Sequence, residues 1–384
     1  MCFAFFAVDS PALNSPYPAP ALTRFARALL TKSGLSSAMA RDVAEILVEG
    51  DLLGKTTHGL QLLAPYLQNI ADGKMTRTGR PKIIKRSAAT LLLDARYLPG
   101  PFVLRGAIGW AIPRAKKHGV ATVAIRQCHH IACLQAFLQP VADRGLVMLL
   151  MCNDPAVASV AAPGGVEGVC SPDPVAVGIP TTGQPILIDT TTASATNGIV
   201  ARLTREKRKL SSLVLQTALG EPTDDPSVLI AKLPGTILPL GGLEQGYKGF
   251  AFAVMVEALT GALAGHGRAD KPTRWGASIF LQIIDPKFFS GGAAFNRETT
   301  YFAKTCRQSK TRPHGSPVRM PGDDAQARRR QQLERGIILH PGIMPALQPW
   351  AEKLGVKIPK PLPAADARPK RGREAGSRKW EARS

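Results

Sequence analysis

Apolar residues recur at helical spacing in two segments near the start of the chain. The segments are ALTRFARALLTKSG (21–34) and SSAMARDVAEILVEGDLLG (36–54), and each places its apolar residues on one face of a helix. The first segment stops at Gly34, and the second opens with serines, which cap helices. The pattern therefore predicts two amphipathic helices. Their apolar faces are Leu22, Phe25, Ala26, Leu29 and Leu30, then Ala40, Val43, Ile46, Leu47 and Gly50.

Short apolar runs farther along the chain indicate β-strands, and longer runs between them indicate helices. The run LVMLLMCN is continuously apolar, which predicts a strand buried on both faces. Strands are expected in LLLDARY (91–97), VATVAIR (120–126), LVMLLMCN (146–153), PILIDTTTAS (185–194) and SIFLQIID (278–285). Helices are expected in FVLRGAIGWAIPRAKKHG (102–119), in GFAFAVMVEALTGALAG (249–265), which should be buried, and at 295–309, 323–335 and 344–355. Because strands alternate with helices, the fold class is α/β or α+β.

The length and composition favour a globular protein with more than one lobe. The chain has 384 residues, of which 45% are apolar, so it can bury a substantial core in two or three lobes. No apolar run reaches the roughly 18 residues that span a bilayer, so we expect no membrane segment. The apolar start MCFAFFAVDSP lacks the basic residues of a signal peptide, which favours a cytoplasmic protein.

The net charge of +21 raises the alternative of a nucleic-acid-binding protein, because such an excess attracts phosphates. Much of this charge lies in TREKRKL (204–210), in ARRRQQLER (327–335) and in the tail (360–384). The chain has 6% aromatic residues, which is few for a platform that stacks bases. We therefore expect no specific nucleic-acid partner. The tail is rich in proline, alanine and arginine, which is typical of disorder.

The cysteines and glycines form none of the familiar cofactor motifs. CHHIAC (128–133) brings two cysteines and two histidines together, but four ligands within six residues could hardly surround a tetrahedral zinc ion. We expect no metal site. The sequence also lacks the glycine fingerprints of Rossmann and P-loop nucleotide sites.

A different glycine-rich turn, GGLEQGYKG, precedes an apolar helix. It places Tyr247 and Lys248 where that helix is expected to begin. Backbone N–H groups at a helix N-terminus attract phosphate, and a lysine adds a full charge. A plain loop with a solvated lysine remains the alternative.

The segment GKTTHGLQLLAPYL (54–67) places His58 in a turn of polar and small residues, unlike a core position. His130 follows Arg126 near the end of one predicted strand, and Asp189 lies near the end of another. An aspartate at a strand end can hold a histidine tautomer by accepting its N–H, although it can also cap a turn. Histidine, arginine and aspartate together suit the transfer of a proton beside a carboxylate.

Six segments occur in one order along the chain, and together they carry a family resemblance. The segments are DLLGKTTHGLQLLAPYL, VAIRQCHHIACLQAF, MCNDPAVASVAAPGG, DPVAVGIPTTGQPILIDTTTASATNGI, GEPTDDP and GGLEQGYKGFAFAVMVEALTGALAG. The sequence, from about Pro18 to Pro359, resembles the type-2 malate/L-lactate dehydrogenase family. That family also contains sulfolactate, ureidoglycolate and diketogulonate dehydrogenases or reductases. The resemblance implies NAD or NADP as cofactor, a homodimer, and a non-Rossmann mixed central sheet with a helical lobe.

The resemblance and the hydrophobic pattern together divide the chain into five expected regions. The helical lobe is built from N-terminal and C-terminal helices, and the central domain binds the cofactor. The regions are a disordered N-terminus (1–17), the helical lobe with the His58 motif (18–85), the central NAD(P)-binding α/β domain (86–290), C-terminal helices packed on the helical lobe (291–359) and a disordered basic tail (360–384).

The resemblance also implies a role for each matching residue. His58 matches the histidine that moves the substrate's proton, Asp189 the aspartate near it, and His130 a second acid or base. Thr57 and Arg126 match residues that bind the substrate. The residues matching the cofactor site are Asn153, Thr191, Thr192, Ser194, Tyr247, Lys248, Gly322 and Asp323.

The sequence departs from the family pattern near these positions. Leu62 stands where the family commonly has an arginine that binds a substrate carboxylate, and Pro172-Asp173-Pro174 replaces Thr-Asn-Pro. The resemblance implies an NAD(P)-dependent 2-hydroxyacid dehydrogenase, acting on CH–OH donors. Because one carboxylate contact is lost, we expect this enzyme to prefer monocarboxylates. A cyclic imino-acid (piperideine or pyrroline carboxylate) reductase and an inactive homologue of the same fold are the alternatives.

Overall fold

The computed structural model describes residues 15–363. Most of the expected disordered N-terminus (1–17) lies outside the described residues, as does the basic tail from residue 364 onward. Within 15–363 there are ten α-helices, and all seven helices predicted from the sequence are among them. They are α1 (Ala19–Lys32), α2 (Ser37–Leu52), α3 (Leu63–Ala71), α4 (Gly100–His118), α5 (Gln139–Ala142), α6 (Asn197–Glu206), α7 (Gly242–Glu257), α8 (Gly292–Gln308), α9 (Asp323–Arg335) and α10 (Ile343–Leu354).

The strands of the described region form two sheets, and each predicted strand lies in the larger one. The seven strands of the larger sheet are β1 (Lys82–Arg86), β2 (Thr90–Asp94), β3 (Val120–Cys128), β4 (Val147–Asn153), β7 (Pro174–Ile179), β8 (Ile186–Thr191) and β12 (Ala277–Ile284). The smaller sheet contains β5 (Val160–Ala161), β6 (Gly168–Cys170), β9 (Leu215–Gln216), β10 (Pro222–Thr223) and β11 (Thr236–Ile237).

The larger sheet is mixed, with the strand order β1-β2-β3-β12-β4-β7-β8. The pair β2–β3 is parallel, and the other neighbours in this sheet run antiparallel. The apolar strands β12 and β4 lie in its interior, as expected for strands buried on both faces. The expected α/β class with a mixed central sheet is therefore confirmed.

Helices from both ends of the chain form the helical lobe. The N-terminal helix α1 packs on α2, α10 packs on α1 and α3, and α9 packs on α2. The long helix α4 contacts α2 on one side and the strands β3 and β12 on the other. One continuous apolar core therefore runs from the lobe into the sheet. The Ser36 hydroxyl caps α2 by accepting from Met39 N at 3.4 Å.

Three expected boundaries differ from the structure, and helix α8 contacts the large sheet as well as the helical lobe. The strand LLLDARY ends at Asp94, because Arg96 and Tyr97 take positive φ angles of 51° and 57° and turn the chain. Strand β1 crosses the expected boundary between residues 85 and 86, since it pairs with β2 in the sheet. Helix α8 contacts the helical lobe through Arg307, which pairs with Asp323 at the start of α9. Ala303 of α8 packs against Ile186 of β8. The expected tail begins too early at residue 360, because Leu362 N donates to Pro16 O at 2.7 Å.

The apolar helix GFAFAVMVEALTGALAG is not buried within the chain, contrary to expectation. It belongs to α7, which begins at Gly242 and passes into a π-helical turn at Ala258–Ala262. Small residues such as Gly249 and Ala253 face the protein, whereas Phe252 is 56% exposed. Between residues 242 and 263, the exposed large apolar side chains are Leu243, Tyr247, Phe252, Val254, Met255 and Leu263.

No helix between residues 15 and 363 is long and apolar enough to cross a membrane.

Candidate active site

A cavity of about 600 Å³ lies where the helical lobe meets the ends of several central strands. Its wall combines the turn around His58, the loop after β3, the ends of β4 and β8, the start of β7 and the first residues of α6. Small-molecule sites typically have volumes of roughly 300–1,000 Å³. An adjoining cavity of about 460 Å³ shares Lys55 and Asp189 with the first. The main cavity contains all three side chains predicted to be catalytic, so it is the candidate active site.

The turn that carries His58 is fixed to the end of α2 by a buried carboxylate. Leu60 N donates to Asp51 Oδ2 at 2.7 Å, and Asp51 is only 1% exposed. Gly59 permits this approach, because a Cβ at that position would lie 2.4 Å from the carboxyl carbon of Asp51. Burial raises the pKa of Asp51 to about 7, although the Leu60 N–H and the charge of Arg202 oppose the rise.

Arg202 of α6 holds the same turn by two further hydrogen bonds. Its guanidinium donates to Thr56 Oγ1 at 2.9 Å and to Gln61 Oε1 at 2.8 Å, and the side chain is buried. Because Thr56 and Gln61 flank His58 on both sides, these bonds fix the position of the histidine relative to α6. The first residues of α6 themselves line the cavity.

The imidazole of His58 lies in the cavity wall, where Thr57 contacts one of its nitrogens. Thr57 Oγ1 lies 3.0 Å from His58 Nδ1. A hydroxyl can donate to a neutral ring or accept from a protonated one, so this contact tolerates both charge states of the histidine. Burial lowers the pKa of His58, the Asp189 carboxylate partly opposes that shift, and the charges of Lys55 and Arg202 add to it.

Asp189 acts on His58 through its charge and not through the predicted hydrogen bond. The Nδ1 atom of His58 contacts Thr57, and within the described residues no hydrogen bond joins Asp189 to either ring nitrogen. Instead, Asp189 Oδ2 accepts from Gln135 N at 3.3 Å and lies 3.8 Å from Lys55 Nζ. The prediction that Asp189 holds the His58 tautomer by accepting its N–H is therefore wrong, although the two side chains do interact.

His130 stacks with His58, with ring centroids 6.0 Å apart and an interplanar angle of 26°. Its Nδ1 accepts from Ala132 N at 3.3 Å and lies 2.8 Å from the Tyr66 hydroxyl. Because Nδ1 accepts, this hydrogen-bond network assigns the proton of the neutral ring to Nε2. Burial lowers the pKa of His130 well below its usual value, and the neighbouring His58 lowers it further. His130 is therefore suited to donate a hydrogen bond as a neutral ring.

The aromatic rings of Tyr66 and Trp275 pack against both His130 and its neighbour His129. The Trp275 ring lies 4.7 Å from the His130 ring and also lines the cavity. His129 packs edge-on against Tyr66 at 5.2 Å and is fully buried. Burial lowers the pKa of His129 to about 3. His129 is thus a neutral packing residue.

The ends of β4 and β7 contribute buried polar groups to the cavity wall. Asn153 Nδ2 donates to Glu257 Oε2 at 2.8 Å, and Asn153 Oδ1 is buried without a partner among residues 15–363. Arg268 Nε donates to Glu257 Oε1 at 2.8 Å. Asp173 is fully buried and accepts from the Ser171 hydroxyl. Burial raises the pKa of Asp173 to about 8, and the negative charge of Glu257 adds to the rise.

The structure brings together about half of the predicted site residues. The predicted residues that line the main cavity are Thr57, His58, His130, Asn153, Asp189 and Thr191. Gly322 lines the adjoining cavity. Within 15–363, no group of three or more histidine, cysteine, aspartate or glutamate side chains is placed to hold a metal ion.

Two charged residues predicted to contact ligands are paired with other side chains. Arg126 Nε lies 3.2 Å from Asp94 Oδ2, and Arg126 does not reach the cavity wall. The substrate-binding role of Arg126 therefore stays a prediction, from a residue that is paired with Asp94 outside the cavity wall. Asp323 forms an ion pair with Arg307 at 2.7 Å, so its carboxylate contacts a neighbouring helix.

Four further residues predicted at the cofactor site lie outside the cavity wall. The Thr192 and Ser194 hydroxyls donate to backbone carbonyls, at 3.1 and 2.7 Å. Tyr247 and Lys248 are exposed in the second turn of α7. Because α7 begins at Gly242, the N–H groups of Tyr247 and Lys248 lie inside the helix and are not free to bind phosphate.

Four residues that shape the site, Lys55, Asp173, Arg202 and Trp275, are not among those predicted from the sequence. Lys55 precedes His58 by three positions, so its proximity could have been inferred from the turn. Asp173 was noticed as a departure, but nothing in the sequence shows that it is buried. Arg202 and Trp275 approach the site from distant segments, and no local pattern marks them.

Comparison with known proteins identifies the family of the chain. A family model described as malate/L-lactate dehydrogenase matches residues 17–348. The chain belongs to the malate/L-lactate dehydrogenase family. Its dehydrogenase relatives support an oxidoreductase activity.

Two relatives of this malate/L-lactate dehydrogenase family member illustrate the range of named activities. The chain is 27% identical over 338 residues to the malate/(S)-sulfolactate dehydrogenase of Methanothermus fervidus, covering 86% of this chain and 95% of that protein. It is 29% identical over 356 residues to a Δ1-pyrroline-2-carboxylate/Δ1-piperideine-2-carboxylate reductase of Pseudomonas syringae, covering 89% and 98%.

Solved structures show the same fold. The malate dehydrogenase of Entamoeba histolytica superimposes with a TM-score of 0.85 at 23% identity, covering 90% of this chain and all of that one. The Δ1-piperideine-2-carboxylate reductase of P. syringae superimposes with a TM-score of 0.75 at 28% identity, covering 88% and 99%.

The buried carboxyl of Asp173 makes a testable contribution to stability. Its pKa is about 8 in the folded chain and about 3.8 when exposed, so the folded state binds the proton more tightly. Stability from this group is complete below pH 4 and is lost as pH rises toward 8. We expect Asp173→Asn to flatten the decline of the melting temperature between pH 5 and 8.

The control is Asp143→Asn at an exposed position. It should leave the pH profile of the melting temperature unchanged. If wild type and Asp173→Asn lose stability in parallel from pH 5 to 8, Asp173 is ionised throughout and the inference is wrong.

Proposed function

We propose that this chain is an NAD(P)-dependent oxidoreductase that interconverts a small 2-oxo acid and the corresponding 2-hydroxy acid. The observation that carries the proposal is the pair of stacked imidazoles, His58 and His130, in one cavity with Asp189 and Lys55. Carbonyl reduction requires a proton for the oxygen that becomes the hydroxyl, and a positioned acid accelerates such a step by about 10²–10⁴-fold. When bound, a reduced nicotinamide would supply the hydride to C2.

His58 is proposed to move the proton on the substrate oxygen. In the reductive direction the imidazolium donates, and in the oxidative direction the neutral ring accepts. Thr57 supports both states because its hydroxyl oxygen can accept from Nδ1–H, which keeps its proton while the proton on Nε2 moves. Asp189 stabilises the imidazolium by charge, and thus opposes the effect of burial on the pKa of His58. Neutral His130 would donate its Nε2–H to the same oxygen.

The opposite part of the cavity suits the carboxamide of a nicotinamide. Asn153 Oδ1 is a buried acceptor without a partner among the described residues, and a primary amide offers two N–H donors. An unpaired buried acceptor costs free energy, so a donor from a ligand would bind there favourably. Asn153 would hold the carboxamide, and Thr191 would line the same site. NAD and NADP both meet this requirement.

The wall around His58 favours a substrate with one carboxylate. Leu62 contributes an apolar surface there, and Arg126 is paired with Asp94. A dianion would place its second carboxylate near uncharged groups, and a lost charged hydrogen bond costs on the order of 1.5–3 kcal/mol. Cyclic imino acids are the second candidate substrates, because a relative at 29% identity is named a Δ1-pyrroline/Δ1-piperideine-2-carboxylate reductase.

A second copy of the chain is the proposed partner of α7. Single apolar residues on a surface need no explanation, but a contiguous apolar helix face marks an interaction site. The helix exposes Phe252 and Met255 one turn apart on the same side in the single chain. The same face on two copies can form a self-complementary interface, as twofold dimers require.

The first prediction from the proposed function concerns His58 as the residue that carries the proton. His58→Ala should lower kcat by at least about two orders of magnitude, because a positioned acid is lost. The melting temperature should change little, since His58 borders a cavity. His129→Ala is the contrasting variant, and it should lower the melting temperature because His129 is fully buried. If His58→Ala unfolds the chain, His58 is a packing residue.

The second prediction tests substrate charge. In reduced-cofactor oxidation assays, kcat/KM for phenylpyruvate or piperideine carboxylate should exceed that for oxaloacetate. Leu62→Arg should shift the ratio toward oxaloacetate, because it introduces a cation into the cavity wall. A clear preference of the wild type for the dianion would disprove the substrate assignment, and no turnover of any candidate would favour an inactive homologue.

The third prediction tests the dimer. Phe252→Glu should convert the sedimenting species from dimer to monomer, because it places a charge in the apolar face of α7. Leu219→Glu is the control, since Leu219 is 83% exposed in a separate turn. Sedimentation of the wild type as a monomer would exclude the proposal.

A further inference from the structure

Lys55 is the one arginine or lysine in the wall of the main cavity within the described region. Its ammonium lies 3.8 Å from Asp189 Oδ2, and its side chain is 39% exposed. That separation exceeds the roughly 2.7–2.9 Å of a charge-assisted hydrogen bond. The two groups therefore attract each other without a tight contact, and the ammonium retains donors for a ligand.

The backbone places Lys55 directly beside His58. His58 N donates to Lys55 O at 2.8 Å, which closes one turn of 3₁₀ helix over Thr56–His58. Side chains three residues apart project in the same direction in such a turn. Lys55 N in turn donates to Gly50 O at 2.8 Å, so this residue is anchored to the end of α2.

The other basic side chains near the site are held by protein groups. Arg126 pairs with a carboxylate, and Arg202 donates to two side chains of the His58 turn. Arg268 pairs with a glutamate and also donates to backbone carbonyls. Arg274 donates to backbone carbonyls and stacks on a tyrosine ring. Lys55 is thus the cation in the wall of the main cavity, among the described residues, that can turn toward a ligand.

A 2-oxo acid requires this arrangement of a cation next to an acid. Its carboxylate carbon, C1, is bonded directly to C2, and the reacting oxygen is bonded to C2. Only two bonds therefore separate the carboxylate carbon from the reacting oxygen. The group that binds the carboxylate must therefore lie beside the group that protonates the oxygen. Lys55 and His58 meet this condition because they are successive side chains on one face of the same turn.

We propose that Lys55 binds the carboxylate of the substrate and so selects 2-oxo acids over neutral 2-oxo compounds. This assignment rests on the proposed function and replaces Arg126 as the substrate's cationic contact. Binding moves the ammonium from Asp189 toward the substrate. Asp189 keeps its hydrogen bond from Gln135 N when Lys55 turns away, so its carboxylate is not left unpaired.

The test compares an acid with its neutral amide. Wild type, Lys55→Met, Lys55→Arg and Lys117→Met are assayed with phenylpyruvate and with phenylpyruvamide. Lys55→Met should lower kcat/KM for the acid by about 10- to 100-fold, as expected for a lost hydrogen bond to a charged group. The effect should fall mainly on KM. The value for the amide should change by less than about threefold, because the amide has no carboxylate for Lys55 to bind.

Two variants control for nonspecific effects. Lys55→Arg should recover much of the activity on the acid, because arginine also binds carboxylates. Lys117→Met removes the same charge from the exposed surface of α4 and should leave both substrates unaffected. Equal losses on acid and amide in Lys55→Met would overturn the proposal, since Lys55 would then act on His58 or Asp189. The proposal would also be overturned if the ratio of kcat/KM for the acid to kcat/KM for the amide were the same in Lys55→Met as in the wild type.

Calorimetric titration separates this proposal from the proposed function. The reduced cofactor is present, and phenylpyruvate is titrated into wild type and Lys55→Met. If the wild type binds the acid but does not reduce it, the proposed function fails. The Lys55 proposal is then still tested, because Lys55→Met should bind the acid more weakly than the wild type. If Lys55→Met binds the acid as tightly as the wild type, the Lys55 proposal fails by itself. A wild type that neither binds nor reduces the acid overturns both.

Discussion

The hydrogen bond from Leu60 N to the buried carboxylate of Asp51 fixes the turn on which the candidate site depends. The glycine before Leu60 lets the backbone approach the carboxylate, and Arg202 ties the residues flanking His58 to α6. A short turn has few internal hydrogen bonds, so external contacts must define its position. Because α2 belongs to the helical lobe and α6 follows β8 at the edge of the large sheet, these bonds also set the width of the cavity between the lobe and the sheet.

The elements of the fold could largely be predicted because their periodicity reflects burial within one chain. The helices α1 and α2 and the strands β3, β4 and β12 follow their apolar patterns closely. Helix α7 was misjudged for a physical reason. Its apolar side chains surround the helix, and such a pattern does not distinguish burial in a core from exposure toward a second molecule. The strand before Tyr97 was extended too far because positive φ angles at Arg96 and Tyr97 are not encoded in hydrophobicity.

The candidate site was predictable where its residues follow strands or occupy the His58 turn. His130 and Asp189 were found because polar residues after apolar strands meet at a common edge, and His58 was found because its turn is polar and unlike a core position. The role of Arg126 was not predictable, because its partner Asp94 ends a neighbouring strand and competes with any ligand. The hydrogen bond expected between Asp189 and His58 failed for a similar reason, since Thr57 lies nearer to Nδ1 in the same turn. Sequence patterns identify which groups are present, but competing partners decide which contacts form.

The charges around His58 couple substrate binding to protonation. Burial and the charge of Lys55 lower the pKa of His58, and Asp189 partly opposes them. An anionic substrate on Lys55 would neutralise that cation and bring a negative charge close to the imidazole. Both changes favour the imidazolium, because an opposite charge nearby stabilises the charged form. A site arranged in this way would favour the neutral form of His58 without substrate and would shift it toward the imidazolium when a 2-oxo acid binds. A neutral ligand would provide no such stabilisation, so the charge that selects the substrate would also prepare the acid for the reaction.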